Sequence, residues 1–189
     1  HTETVKTLLD NLTPEQQLQL LFTQDSDGNT ALHKAALTGR TETVKTLLDN
    51  LTPEQQLQLL FTQNKNGDTA LHYAASNGHT ETGKTLLDTL KPEQQLQLLF
   101  TQDSDGETAL HVAALFGRTQ TVKGLLDKLT PEQQLQLLYL QNNTGKTASQ
   151  FAAASKENKI EKMLNKYQRD ADSEVNYGKW EHCHVITEN

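Results

Sequence analysis

The string Pro-Glu-Gln-Gln-Leu-Gln-Leu-Leu begins at Pro14, Pro53, Pro92 and Pro131, each 39 residues after the last, and Gly28, Gly67, Gly106 and Gly145 keep the same interval. A fixed period of this size describes a stack of like units, each packed only on its neighbours. It also explains a lean composition, because 34% hydrophobic and 5% aromatic residues would be thin for one round core yet suffice for an apolar stripe shared between units. Thirty-one Leu stand against two Ile and six Val. Straight-chain residues lose less rotamer freedom in a helix than β-branched ones, so the balance favours helix and argues against a sheet-based enzyme fold. The expected fold is an all-α solenoid. Its parts are a partial repeat over 1–24, full repeats over 25–63, 64–102 and 103–141, a degenerate capping repeat over 142–167 and a non-repeat tail over 168–189.

Each unit reads as three short helices. In the copy from Asn64 to Gln102, Thr69 is the expected N-cap and Gly78 the expected stop of a first helix over Ala70 to Asn77. Leu71, Ala74 and Ala75 give it a small inward face that lets axes approach closely. The second helix follows Thr80 with Leu86, Leu87 and Leu90, matched one unit earlier by Val44, Leu47, Leu48 and Leu51. A third begins at Pro92; its equivalents at Thr13-Pro14-Glu15-Gln16 and Thr52-Pro53-Glu54-Gln55 combine an N-cap, a proline at the first position and a capping-box glutamine, while Lys91 breaks the cap in one copy. Leu96, Leu99 and Phe100 point inward, leaving Gln94, Gln95 and Gln97 for water.

The run Asp25-Ser26-Asp27-Gly28-Asn29-Thr30-Ala31-Leu32-His33, with Ala35-Ala36, Gly39 and Val44 to Leu48 behind it, resembles the ankyrin repeat. Thr-Ala-Leu-His stands where the family usually has Thr-Pro-Leu-His; it recurs at Thr69 to His72 and Thr108 to His111 and decays to Thr147-Ala148-Ser149-Gln150. The resemblance covers about Thr2 to Tyr167. Six extra residues per unit put a third helix where the family has its β-hairpin finger, a long form similar to ankyrin proteins of obligate intracellular bacteria, which are often delivered into host cells. His1-Thr2-Glu3-Thr4 matches His79-Thr80-Glu81-Thr82, so the sequence opens within a unit and is expected to be a fragment of a longer protein.

The net charge of -7 disfavours nucleic acid and anionic membrane as partners. No apolar stretch is long enough to span a bilayer, and one cysteine, Cys183, makes no internal disulfide. A cytoplasmic location is expected, the host cytosol if the protein is a delivered bacterial effector. Lys146, Lys156, Lys159, Lys162 and Lys166 against Glu157 and Glu161 make 142–167 a basic cap on an acidic array.

No enzyme, cofactor or metal site is expected. His33, His72 and His111 are one unit apart and cannot share an ion, so each is read as fixing the start of its own helix. Asp25-Ser26-Asp27-Gly28 and Asp103-Ser104-Asp105-Gly106 lack the closing glutamate of a calcium loop and read as turns. His182-Cys183-His184 has no second ligand pair. In the tail, Trp180, Val185 and Ile186 could dock it or serve as a recognition segment.

The positions that vary between copies carry the functional reading: Asn29, Asp68 and Glu107; Lys34, Tyr73 and Val112; Leu37, Ser76 and Leu115; Thr38, Asn77 and Phe116. The ankyrin resemblance implies that these, with the turn residues Asp27, Asn66 and Asp105, line a concave face that binds a protein partner, with Tyr73 and Phe116 as aromatic anchors. A monomer is expected. Two other roles remain open, a targeting or spacer arm of a larger enzyme whose catalytic domain lies elsewhere, and a self-assembly module.

Overall fold

A computed structural model describes residues 2–154 and 158–185, with side chains at 158 and 176–185 outside the description. The readings of His182-Cys183-His184 and of Trp180, Val185 and Ile186 therefore fall outside the described side chains. Every element among the described residues is helical. The partial repeat holds α1 (Thr2–Asp10) and α2 (Pro14–Phe22). Three full repeats follow as α3 (Ala31–Leu37), α4 (Thr41–Asp49) and α5 (Pro53–Leu60), then α6 (Ala70–Asn77), α7 (Thr80–Asp88) and α8 (Pro92–Phe100), then α9 (Ala109–Leu115), α10 (Thr119–Leu126) and α11 (Pro131–Tyr139). The stack closes with α12 (Ala148–Ala154) and a 28-residue α13 (Asn158–Val185), which continues through position 168 without a break.

First helices pack in one row, α3 on α6 on α9 on α12, and second helices in another, α1 on α4 on α7 on α10, so the architecture is an all-α solenoid. The first row can be tight because its inward residues are small: Ala36, Ala74, Ala75, Ala113 and Ala114 are wholly buried. The second row joins through hydroxyls, with Thr2 and Thr43 at 2.9 Å, Thr41 and Thr82 at 2.8 Å and Thr80 and Thr121 at 2.8 Å. A β-branched hydroxyl pair satisfies itself across a buried joint where a lone polar group would be costly.

Third helices start as the caps dictate. Gln16, Gln55 and Gln133 donate backbone N–H to the hydroxyls of Thr13, Thr52 and Thr130 and take the cap residue's own N–H on their side-chain oxygens. At Lys91 only the second half survives, the Lys91 N–H donating to Gln94. The neighbouring glutamine does not face water as expected. Gln17, Gln56 and Gln134 donate to the carbonyls of Leu9, Leu48 and Leu126, each of which also accepts a backbone N–H from three residues on, and Gln95 donates to the Leu90 carbonyl.

The turns are stacked as closely as the helices. Lys65, Ser104 and Asn143 donate backbone N–H to the carbonyls of Asp27, Asn66 and Asp105 in the preceding unit. Gln24, Gln63 and Gln102 each donate to a glycine carbonyl in their own turn and to the next glutamine's carbonyl, 39 residues on. Such proximity demands glycine: at Gly67, where φ is +79°, an added Cβ would lie 2.6 Å from Ser104 N. Gly145, at φ +75°, has nothing within 4 Å.

The pair separates backbone strain from steric contact. Gly145→Ala should cost about 1–2 kcal/mol, the left-handed penalty alone, whereas Gly67→Ala should cost clearly more because it also drives apart two bonded turns. Urea unfolding of both variants checks the ranking; equal losses would mean the turn approach contributes nothing.

Candidate partner-binding site

The candidate face is built from turns and first helices. Asp25, Asn64, Asp103 and Asn142 shape the turns, each side-chain oxygen accepting N–H groups two and four residues on. Helices α3, α6 and α9 then begin at Thr30, Thr69 and Thr108, locked by histidine.

Each histidine does two jobs. His72 Nδ1 accepts the Thr69 backbone N–H at 3.2 Å and lies 2.9 Å from the Thr69 hydroxyl, so the proton must sit on Nε2, which donates to the Glu107 carbonyl at 3.0 Å. His33 does the same with Thr30 and the Asp68 carbonyl, and His111 with Thr108 and the Lys146 carbonyl. The sequence reading had each ring fixing its own helix; the structure adds that it fastens the next unit's turn. Burial holds all three rings neutral, pushing their pKa values below the usual range.

The varied positions separate into groups. Asp27, Lys34, Thr38, Asn66, Asn77, Asp105 and Phe116 are exposed; Leu37, Asp68, Tyr73, Ser76, Glu107 and Leu115 are half-buried; Asn29 and Val112 are buried. Asn29 turns inward to accept from Asn64 Nδ2 at 2.9 Å. Tyr73 is also engaged within the array, its ring edge-on to His33 at 5.9 Å and its hydroxyl accepting from Asn64 at 3.1 Å. Phe151 repeats the ring contact on His111 at 5.7 Å. Phe116, the C-cap of α9, differs from both: it is 52% exposed and makes no ring contact among the described residues.

Electrostatically the face is acidic. Lys34 is held by Asp25 at 2.7 Å, and that pairing keeps the Asp25 carboxyl well below the ordinary carboxylate range. Burial, and then the nearby carboxylate of Asp103, raise Glu107; burial also raises Asp68, with the charges of Asp103 and Asp105 adding to it. Four carboxylates from two successive turns thus crowd one stretch of surface. Among the described residues no group of three or more His, Cys, Asp or Glu side chains is placed to hold a metal ion, and no helix is long and apolar enough to cross a membrane.

The neutral histidines set a pH dependence. Unfolded histidine titrates near 6.5 and the folded rings lower, so as pH falls the unfolded chain binds protons first. Stability is fully present above about 6.5 and declines below it, with a slope approaching about 1.4 kcal/mol per pH unit for each ring. Asp68 and Glu107, raised in the fold, bind protons more readily when folded and offset part of the loss at lower pH. Urea midpoints measured between pH 8 and 5 should fall, and His33→Gln, His72→Gln and His111→Gln together should flatten the curve; Gln150 already makes the same N-cap bond in α12, taking the Thr147 N–H at 2.9 Å.

A family model for ankyrin repeats in three copies matches residues 54–136 and 94–177, and one for ankyrin repeats in many copies matches residues 1–48. No curated protein matches the chain. The matches extend over most of the sequence and fall on the stacked units whose turns and histidines are described above, and the chain belongs to the ankyrin-repeat family.

Proposed function

We propose that this chain binds a partner protein along the face made by its turns and first helices, with Phe116 as the anchor. Ankyrin repeats are generally protein–protein interaction modules. The observation that supports this placement is the contrast between Phe116 and everything around it. The repeated residues are spent inside the array, on caps, turns and joints, whereas this aromatic ring is half in solvent at the carboxyl end of α9. An exposed aromatic group on a rigid frame offers large contact area at low ordering cost. The carboxylates of the turns, at the other end of the first helices, favour a partner that also carries Lys or Arg.

Catalysis forms no part of this reading, and neither does nucleic acid, a membrane or a cofactor. The chain acts as a monomer in the cytoplasm, or in a host cytosol if it is delivered there as a bacterial effector.

Capture from cell lysate on the immobilised chain, followed by titration of the partner recovered, tests the placement. Phe116→Ala should weaken that partner by roughly thirtyfold, the size of a hot-spot loss of about 2 kcal/mol, with an unchanged urea midpoint. Gln58→Ala, exposed on α5, should leave affinity as it was. Loss on Gln58→Ala with retention on Phe116→Ala would move the site to the third helices.

A further inference from the structure

The first helices α3, α6 and α9 end with different chemistry. At the end of α3 the Thr38 hydroxyl donates to the Lys34 carbonyl at 2.9 Å, and His79 of the next unit donates from Nε2 to the Leu37 carbonyl at 3.1 Å. At the end of α6 the Asn77 amide donates to the Tyr73 carbonyl at 3.0 Å, and Arg118 of the next unit donates from Nε to the Ser76 carbonyl at 2.8 Å. Each of these ends takes one side-chain donor from its own last residues and one from the unit that follows, which meets carbonyls that a helix C-terminus leaves open.

At α9 both donors are missing from the pattern. Phe116 stands in the place of Thr38 and Asn77, and its side chain has no hydrogen to give, so among the described residues the Val112 carbonyl accepts only the Phe116 backbone N–H. Thirty-nine residues after Arg118 the sequence has Glu157, whose ionised carboxylate accepts hydrogen bonds and donates none. The Leu115 carbonyl has no donor among the described residues. An exposed aromatic ring and an unmatched carbonyl thus sit on adjacent residues.

We infer that the end of α9 is a seat for one arginine of a partner protein, its guanidinium stacked on the Phe116 ring and donating to the Leu115 carbonyl. The inference rests on Phe116 being the anchor and names the group that the anchor takes. The face of an aromatic ring attracts a cation, and a planar guanidinium also stacks on it. Five N–H groups in a fixed fork let the same group reach a carbonyl while its plane lies on the ring. An apolar side chain would cover the ring and leave the carbonyl unmet, and a lysine ammonium has no plane to stack. The array makes half of this contact with its own residues, since Arg118 already places a guanidinium on the end of α6. The net charge of -7 adds long-range attraction for a cationic partner.

The test is an NMR titration of the chain with the peptide N-acetyl-Gly-Arg-Gly-amide. Saturable shifts confined to the amides of residues 112–117 and the Phe116 ring are expected, with none from the same peptide carrying citrulline, which keeps the shape and loses the charge. Phe116→Trp should bind the arginine peptide at least as tightly and Phe116→Leu about tenfold more weakly, both with the urea midpoint of the parent chain. Equal shifts from a Gly-Leu-Gly peptide, or arginine binding undiminished in Phe116→Leu, would overturn the inference. So would arginine binding that appears only once Lys156→Ala is made, because the chain would then fill the seat itself. The partner reading is separable: a captured protein indifferent to Phe116→Ala ends that reading and leaves the peptide result as it is. One that tolerates Phe116→Leu but not Phe116→Ala keeps the anchor and overturns the arginine.

Discussion

A histidine ring has two nitrogens, and in this array both are committed, one inside the unit and one across the joint. His72 can accept from Thr69 only while Nδ1 is unprotonated, and it can hold the Glu107 carbonyl only while Nε2 keeps its hydrogen. The neutral ring therefore couples the start of one helix to the position of the next turn. Other features of the joint follow from the distance this sets. The turns must come close enough for Ser104 to donate to Asn66, which leaves no room for a side chain at Gly67, and the second helices must meet where Thr80 and Thr121 share a hydrogen bond. Coupling of this kind lets units too small to bury a core alone unfold as one body.

Much of this was legible in the sequence because a repeat writes each constraint several times. The bounds of α6, Ala70 to Asn77, and its left-handed stop at Gly78 follow from cap chemistry alone. The contacts between units were harder to see. Thr41 meets Thr82, not Thr80, so the pairing runs over 41 residues in a chain of period 39. That offset comes from how neighbouring helices slide past each other, which a one-unit comparison cannot reveal. The fixed Asp or Asn at positions 25, 64, 103 and 142 is a readable signal for side-chain-capped turns, since each accepts N–H groups two and four residues on. Burial at the varied positions was also unreadable: Lys34, Tyr73 and Val112 are equivalent in sequence but run from exposed to buried, because a ring on the preceding unit's histidine is packing and a lysine is not.

That last point narrows what variation means. A difference between copies marks a position free of the joint's demands only where the side chain also faces outward. Asn29, Tyr73 and Val112 vary while serving the interior, Asn29 by a hydrogen bond from Asn64 and Tyr73 by its ring contact with His33. Thr38, Asn77 and Phe116 vary at the end of the first helix with exposed side chains, and of these only Phe116 offers a large apolar surface. Candidate contact residues in such an array are thus better ranked by exposure within a variable set than by variation alone.

The two ends of the stack differ in kind, and the residues say why. At the carboxyl end two joint positions have changed their chemistry: Ile160 replaces the inward threonine of α4, α7 and α10, and Gln150 replaces the histidine, keeping its N-cap bond without a turn beyond it to fasten. Gly145 retains its conformation with open space around it. Helix α13 then covers α11 and α12 through Ile160, Leu164 and Ala171, and Tyr167 donates to Asp127 at 2.6 Å. Burial and that hydrogen bond push the tyrosine pKa up to about 12, so the contact keeps its proton across the ordinary pH range. At the amino end Thr4, Leu8, Leu20 and Arg40 keep the identities of interior joint residues although they face solvent. A cap is thus read from altered joint residues together with a helix that covers the last unit, here Ile160, Gln150 and α13.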